Sequence, residues 1–170
     1  MQRGVRSESA RRRRHRRGRS EARHEPGALS MRRWVLDTNV VVSALLWGGQ
    51  PERLLRAATE GEVELCTSPA LLAELREVLG RDHLARHLVR VQRSVEQALE
   101  SYAVLTYRVS PLETPRVVPG DADDDHVIAA ALAAQATAVV SGDKHLLSMG
   151  SFEGLAILTV AQAAERLPSQ

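Results

Sequence analysis

From Met31 onward, short apolar runs alternate with amphipathic stretches, and this alternation restricts the fold more than any other feature of the sequence. Apolar runs of this length between helical segments are typical of buried strands in βαβ units, which pair in parallel. We therefore predict an α/β fold, a three-layer αβα sandwich around a parallel sheet of four to five strands. The predicted strands cover residues 34–36, 63–66, 102–106, 138–141 and 155–158.

Glycine, proline and capping residues mark the ends of the predicted helices. Ser68 before Pro69 is an N-cap signal, and Gly80 ends the same helix. The segment 82–100 is amphipathic over its whole length, and the proline-bearing stretch 110–120 is predicted as a loop. The predicted helical segments cover residues 38–47, 51–60, 69–79, 82–100, 123–135, 144–149 and 160–167.

Charge divides the chain into two parts. Residues 1–30 contain ten arginines against three glutamates and few apolar groups, which is typical of a disordered tail. Residues 31–170 contain 13 basic and 18 acidic side chains, so this part is acidic although the whole chain carries a net charge of +2. We expect one folded domain over residues 31–167. The tail has two interpretations, a basic arm for nucleic acid or an extension upstream of a true start at Met31.

The types of residue present exclude several classes of protein. Cys66 is the only cysteine, which excludes a disulfide framework and a thiolate zinc site and indicates a reducing, cytoplasmic location. No stretch approaches the roughly 20 apolar residues of a membrane span, so we expect no membrane association. The glycine motifs of nucleotide-binding enzymes are missing from the sequence. An aspartyl-phosphatase site would need a second aspartate at position 39, where the chain has Asn39.

Four acidic signals occur where a parallel sheet would bring them to one edge. Asp37 directly follows the first strand, and Asp143 follows a later strand by one glycine. Ligands of open parallel sheets bind beyond the carboxyl ends of the strands. The run 121–125 begins the helix that leads into that later strand, and Glu74 lies on the third predicted helix. Converging carboxylates repel one another, and a divalent metal relieves that repulsion, so the pattern predicts a metal site acting on phosphates.

Helical geometry, at about 100° per residue, separates the acidic residues that face inward from those that face solvent. Asp124 and Asp125 lie within roughly 60° of the buried stripe of their helix, whereas Asp123 and His126 point away. Glu74 falls at the border of its apolar stripe, and Glu77 lies roughly opposite the centre of that stripe. Asp124 and Asp125 are therefore both candidate metal ligands, since Asp121 or Asp123 can cap this helix.

Asp37 and two polar residues near the acidic signals, Asn39 and Lys144, have further interpretations. Asp37 could cap the helix that begins at Thr38 and also face a metal. Asn39 is a neutral donor that could orient a carboxylate or a phosphate. Lys144, the only lysine, lies beside Asp143 and either contacts a phosphate or pairs with a carboxylate.

The order and spacing of these motifs resemble those of the PIN-domain ribonucleases, in particular the VapC-like toxins of bacterial toxin–antitoxin pairs. The matching segments are VLDTNVVVSAL, SPALLAEL, DDDHVIAAAL and AVVSGDKHLL, which extend over about residues 32–167. The resemblance implies an acidic quartet that binds metal and catalyses, formed by Asp37, Glu74, Asp125 and Asp143. The D-x-x-I-A-A form of the motif selects Asp125, with Asp124 as its neighbour and alternative. It also implies supporting polar positions, at Thr38, Asn39 and Ser141.

The resemblance further implies a chemistry and a set of partners. One or two Mg²⁺ or Mn²⁺ ions would bind in the acidic pocket, and a water of lowered pKa would attack the RNA phosphodiester, leaving 5′-phosphate and 3′-hydroxyl ends. Such a toxin would have a cognate antitoxin protein, and a homodimer is expected because dimers are usual in the family. Two alternatives remain open, a housekeeping RNA-processing nuclease and a PIN-like domain that binds RNA or protein without cutting.

Overall fold

The structure, a computed structural model, describes residues 31–117 and 122–168. The predicted tail over residues 1–30 and Asp121 of the acidic run lie outside these ranges. The strands of the described ranges are β1 (Arg33–Leu36), β2 (Glu64–Thr67), β3 (Tyr107–Arg108), β4 (Ala138–Val140), β5 (Ser151–Phe152) and β6 (Leu155–Leu158). The helices are α1 (Thr38–Leu46), α2 (Gln50–Thr59), α3 (Pro69–Leu79), α4 (Asp82–Arg90), α5 (Val95–Leu105), α6 (Ala122–Ala133), α7 (Lys144–Met149) and α8 (Val160–Glu165).

The strands form one sheet in the order β3-β2-β1-β4-β6-β5. All neighbours in this sheet are parallel except β5, a two-residue edge strand that runs antiparallel to β6 and that the sequence did not predict. The chain adds β2 and β3 on one side of β1 and then returns to add β4 and β6 on the other side. Ligands of such sheets bind at this reversal, outside the carboxyl ends of the strands. The functional site is therefore expected between the ends of β1 and β4.

Helices cover both faces of the sheet. Successive side chains of a strand point to opposite faces, so Trp34 and Leu36 pack in one apolar cluster and Val35 packs in the other. The first cluster includes residues of α1, α2, α5 and α8, and the second includes residues of α6 and α7. This arrangement confirms the predicted three-layer α/β sandwich. None of the helices in the described ranges has the length and apolar content needed to cross a membrane.

The segment between residues 82 and 106 differs from its prediction. The amphipathic stretch 82–100 is divided between α4 and α5, and the predicted strand 102–106 is the end of α5 and its C-cap. The division has a local cause, since Gln92 has a φ of 56° and cannot continue an α-helix. Two residues later, Ser94 and Gln97 form a capping box that begins a new helix. The predicted strand 102–106 is therefore wrong, and the strand of this region is β3, which begins directly after it.

Candidate active site

Asp37 lies at the carboxyl end of β1, beside the end of β4. Its backbone N–H donates to the carbonyl of Val140 at 2.9 Å, which continues the hydrogen bonding of the sheet by one residue. Its side chain is buried, with 6% of the residue exposed. Although Asp37 occupies the N-cap position of α1, its side chain makes no capping hydrogen bond, so the capping interpretation is wrong. Instead, Oδ2 of Asp37 accepts a hydrogen bond of 2.6 Å from the hydroxyl of Ser141.

Ser141 links two of the predicted acidic positions. It directly follows β4 and is fully buried. Besides donating to Asp37, its Oγ accepts a 2.9 Å hydrogen bond from the backbone N–H of Asp143. The Asp143 side chain in turn accepts bonds from the N–H groups of His145 and Leu146, and these bonds cap α7. The structure thus brings Asp37, Ser141 and Asp143 together at the sheet reversal.

The beginning of α6 lies at the same edge of the sheet. A short connection joins the end of α6 to the start of β4, so α6 runs opposite to the strand and its N-terminus lies at the carboxyl edge. Asp124 and Asp125 are 6% and 5% exposed, whereas Asp123 is exposed, as helical geometry predicted. Oδ1 of Asp125 accepts a 2.8 Å hydrogen bond from the backbone N–H of Val117.

Glu74 lies on α3, which follows β2 and packs against both α1 and α6. The helix begins at the carboxyl edge with Pro69, and Glu74 lies five residues later, roughly 7.5 Å along the axis. Glu74 is half-buried and Glu77 is exposed, as the apolar stripe predicted. Glu74 is therefore the predicted acidic residue that lies deepest below the edge.

The supporting polar residues differ in exposure. Thr38 is buried in the first turn of α1, and Asn39 beside it is exposed. Lys144 and His145 are exposed at the start of α7. Lys144 forms no ion pair with any residue of the described ranges.

The oxygen atoms at this edge suit a hard divalent ion. Among residues 31–117 and 122–168, no three His, Cys, Asp or Glu side chains are grouped as a metal site, so coordination by the whole quartet stays a prediction. Mg²⁺ in proteins keeps several waters and is held by one or two carboxylates together with substrate phosphates. Asp37 and Asp143 could supply these carboxylates. Cys66 of β2 is the only cysteine of the sequence, and burial raises the pKa of its thiol to about 11. A thiolate ligand is therefore disfavoured.

Sequence reasoning missed the contact between Asp125 and the amide of Val117. The donor is a backbone group in a loop eight residues upstream, so no residue type marks it. A helical projection identifies Asp125 as inward-facing but does not reveal which loop passes over it. Only the path of the chain before α6 places that amide at the carboxylate.

Comparisons with known proteins agree with this fold. A PIN domain model matches residues 33–145, a segment that contains all four residues of the predicted quartet. Among solved structures, the chain is similar to the crystal structure of VapBC2 from Rickettsia felis bound to a DNA fragment from their promoter. The TM-score is 0.52 at 16% identity, over 75% of this chain and 98% of that chain, which shows a shared fold. No curated protein matches the sequence. Because the family model spans well over half of the sequence, the chain belongs to the PIN domain family.

Proposed function

We propose that this protein is a metal-dependent endoribonuclease that hydrolyses phosphodiester bonds of RNA. The observation that carries the proposal is the pair of acidic positions, Asp37 and Asp143, joined through Ser141 at the sheet reversal. Two more buried carboxylates, those of Asp124 and Asp125, lie at the N-terminus of α6 on the same edge. We call this carboxyl edge of the sheet, with its four aspartates, the acidic edge. PIN domains are generally nucleases, and family membership supports a nuclease site at the acidic edge.

At this edge, different residues would bind the ion and contact the substrate. Asp37 and Asp143 would hold Mg²⁺ or Mn²⁺, and Asp125 and Glu74 would complete the acidic set. When bound, an ion of this class neutralises charge, polarises a phosphate oxygen and lowers the pKa of a water. Ser141 fixes the orientation of Asp37, because its hydroxyl donates to one carboxylate oxygen.

The substrate phosphate would lie above the edge, within reach of the exposed Lys144. Attack by water in line with the leaving group breaks the bond between phosphorus and O3′, so the products carry 5′-phosphate and 3′-hydroxyl ends. The sequence has no histidine pair that would indicate cleavage through a cyclic phosphate, and His126 and His145 lie on different helices, α6 and α7. The polarity of the ends is therefore a direct test of the chemistry.

We further propose that the enzyme is the toxin of a type II toxin–antitoxin pair, acting in the cytoplasm as a homodimer. The likeness of its fold to VapBC2 supports this role. Its partner would be a small antitoxin protein with arginine side chains complementary to the acidic edge. A short open reading frame directly upstream of the gene would support the toxin role, and a ribosome-processing context would support a housekeeping nuclease instead.

The proposal is tested with purified protein and single-stranded RNA in the presence of Mg²⁺ or Mn²⁺. We expect cleavage that EDTA abolishes, that Asp37→Asn abolishes, and that yields 5′-phosphate ends by sequencing. Glu77→Gln is the matched control, because Glu77 is exposed on α3 and should leave the rate unchanged. Undiminished cleavage by Asp37→Asn, or products with 2′,3′-cyclic phosphate ends, would exclude the proposed mechanism.

A further inference from the structure

A cavity of about 220 Å³ opens beside the acidic edge, on the β2 side. The first turn of α3, the loop that follows β3 and the start of α6 form its walls. These segments contribute Pro69 and Ala70, Pro111 and Thr114, and His126 respectively. Sites for whole small molecules usually measure about 300–1,000 Å³, so this cavity accepts a single ring system and not a complete nucleotide.

The cavity is structurally tied to the candidate active site. His126 directly follows Asp125 on α6. The loop over the cavity is held at both ends: the Val109 N–H donates to the Thr67 carbonyl at 2.8 Å, and the Val117 N–H donates to Asp125. Strand β2 lies next to β1 in the sheet, at the usual strand spacing of about 4.8 Å. An RNA strand bound at Asp37 would therefore pass close to the mouth of the cavity.

The lining chemistry matches a nucleobase. The rings of Pro69 and Pro111 provide apolar surface, and the half-buried His126 provides a flat aromatic ring. Hydroxyl groups of Ser110 and Thr114 provide hydrogen-bond donors and acceptors at the rim. Sequence-specific proteins recognise unpaired RNA bases by stacking them on aromatic rings, including histidine, and by hydrogen-bonding their edges.

We propose that this cavity binds one unpaired nucleobase of the RNA substrate, next to the scissile phosphate, and thereby sets the nucleotide preference of cleavage. The inference rests on the proposed ribonuclease function and adds the position at which the substrate is read. His126 stacks on the base, and Ser110 and Thr114 contact its edge. Since the chain is poor in aromatic residues, one base in one cavity accounts for recognition better than a stacking platform.

The binding test uses the full chain with Asp37→Asn, so that the RNA stays intact, and short single-stranded RNA carrying one 2-aminopurine at successive positions. We expect a change in 2-aminopurine fluorescence at one position only. Adding Ala70→Leu fills the cavity and should weaken binding of that RNA by about tenfold or more. Ala73→Leu is the control, because Ala73 is exposed on the same helix one turn later, and it should leave binding unchanged. Thermal melting establishes that each variant is folded.

A second pair of variants keeps the proposal testable if Ala70→Leu does not fold. His126→Ala should weaken binding of the same RNA, and His126→Phe should restore it, because phenylalanine keeps the flat ring. Equal binding by folded Ala70→Leu and Ala73→Leu, or by His126→Ala and the parent, overturns the nucleobase assignment even if the wild type cleaves RNA. The outcomes for the two proposals can also differ. If Ala70→Leu abolishes position-specific binding in a protein that never cleaves RNA, the nucleobase assignment is supported and the ribonuclease function is overturned.

Discussion

The hydroxyl group of Ser141 connects two acidic residues at the acidic edge. A serine side chain has one donor and two acceptor positions, and Ser141 uses both kinds: it donates to the Asp37 carboxylate and accepts from the Asp143 amide. Ser141 is fully buried, so water does not compete for these bonds. Ser141 thus orients the carboxylate of Asp37 and holds the backbone of Asp143, whose own carboxylate accepts from the N–H groups of His145 and Leu146. Ser141 is a positioning residue in this proposal.

Ser141→Ala should therefore lower Mn²⁺ affinity and cleavage rate by about 10–100-fold, the usual effect of removing a group that orients a ligand. It should also destabilise the fold by about 1–3 kcal/mol, since a buried carboxylate loses one donor. Calorimetry with Mn²⁺ measures the affinity, and urea unfolding measures the stability. Ser43→Ala, a change in α1 away from the edge, is the control. Unchanged Mn²⁺ affinity in folded Ser141→Ala would show that the hydroxyl does not position a ligand.

At the level of elements, α6 performs two tasks through one residue. Its first turn presents Asp125 to the acidic edge, and the same carboxylate accepts the Val117 N–H and holds the preceding loop. Loops have few contacts of their own, so a single buried hydrogen bond at the end of a loop affects its position strongly. The loop that covers the proposed nucleobase cavity is thereby coupled to a predicted metal ligand.

The two tasks of Asp125 can be separated by substitution. Asp125→Asn keeps an oxygen acceptor for Val117 and removes the negative charge, so we expect lost cleavage with the unfolding free energy unchanged. Asp125→Ala removes the acceptor as well and should lower the unfolding free energy by about 1–3 kcal/mol. Urea unfolding of the metal-free proteins compares them. If Asp125→Asn is as destabilised as Asp125→Ala, the charge itself, and not the hydrogen bond, stabilises this region.

At the scale of the whole molecule, apolar side chains cover both faces of the sheet, and they enclose the titratable side chains of Cys66 and Tyr102. Cys66 on β2 is completely buried, and Tyr102 of α5 is nearly so. Burial raises the pKa of the Cys66 thiol to about 11, and it raises the pKa of Tyr102 further above its ordinary value. Neither group can ionise readily unless the domain opens.

This enclosure predicts a loss of stability in alkaline solution. A group whose pKa is raised by folding contributes stability that is complete below its unfolded pKa, near 9 for the thiol, and that is lost as the pH rises toward about 11. We expect the unfolding free energy to fall across this range, with a shallower fall in Cys66→Ala. Urea unfolding at pH 8, 9, 10 and 11 measures both proteins. A parallel decline in the two would assign the pH dependence to other groups.

Much of the fold was predictable because the rules involved are local. Strand alternation and helical periodicity follow from backbone geometry, and they correctly separated the buried Asp124 from the exposed Asp123, and Glu74 from Glu77. Capping signals correctly located α3. The division between α4 and α5 escaped prediction because a continuous amphipathic pattern conceals a break of a few residues. The strand β5 escaped it because two residues carry no periodic signal.

The sequence alone determines which acidic residues are present and on which side of its helix or strand each one lies, since covalent geometry fixes that side. The meeting of Asp37 with Ser141 is different, because these residues are 104 positions apart. Their contact exists because β1 pairs with β4 on one side and with β2 on the other. That order results from burying both faces of the sheet under helices, a requirement that acts on the folded molecule and not on any segment of it.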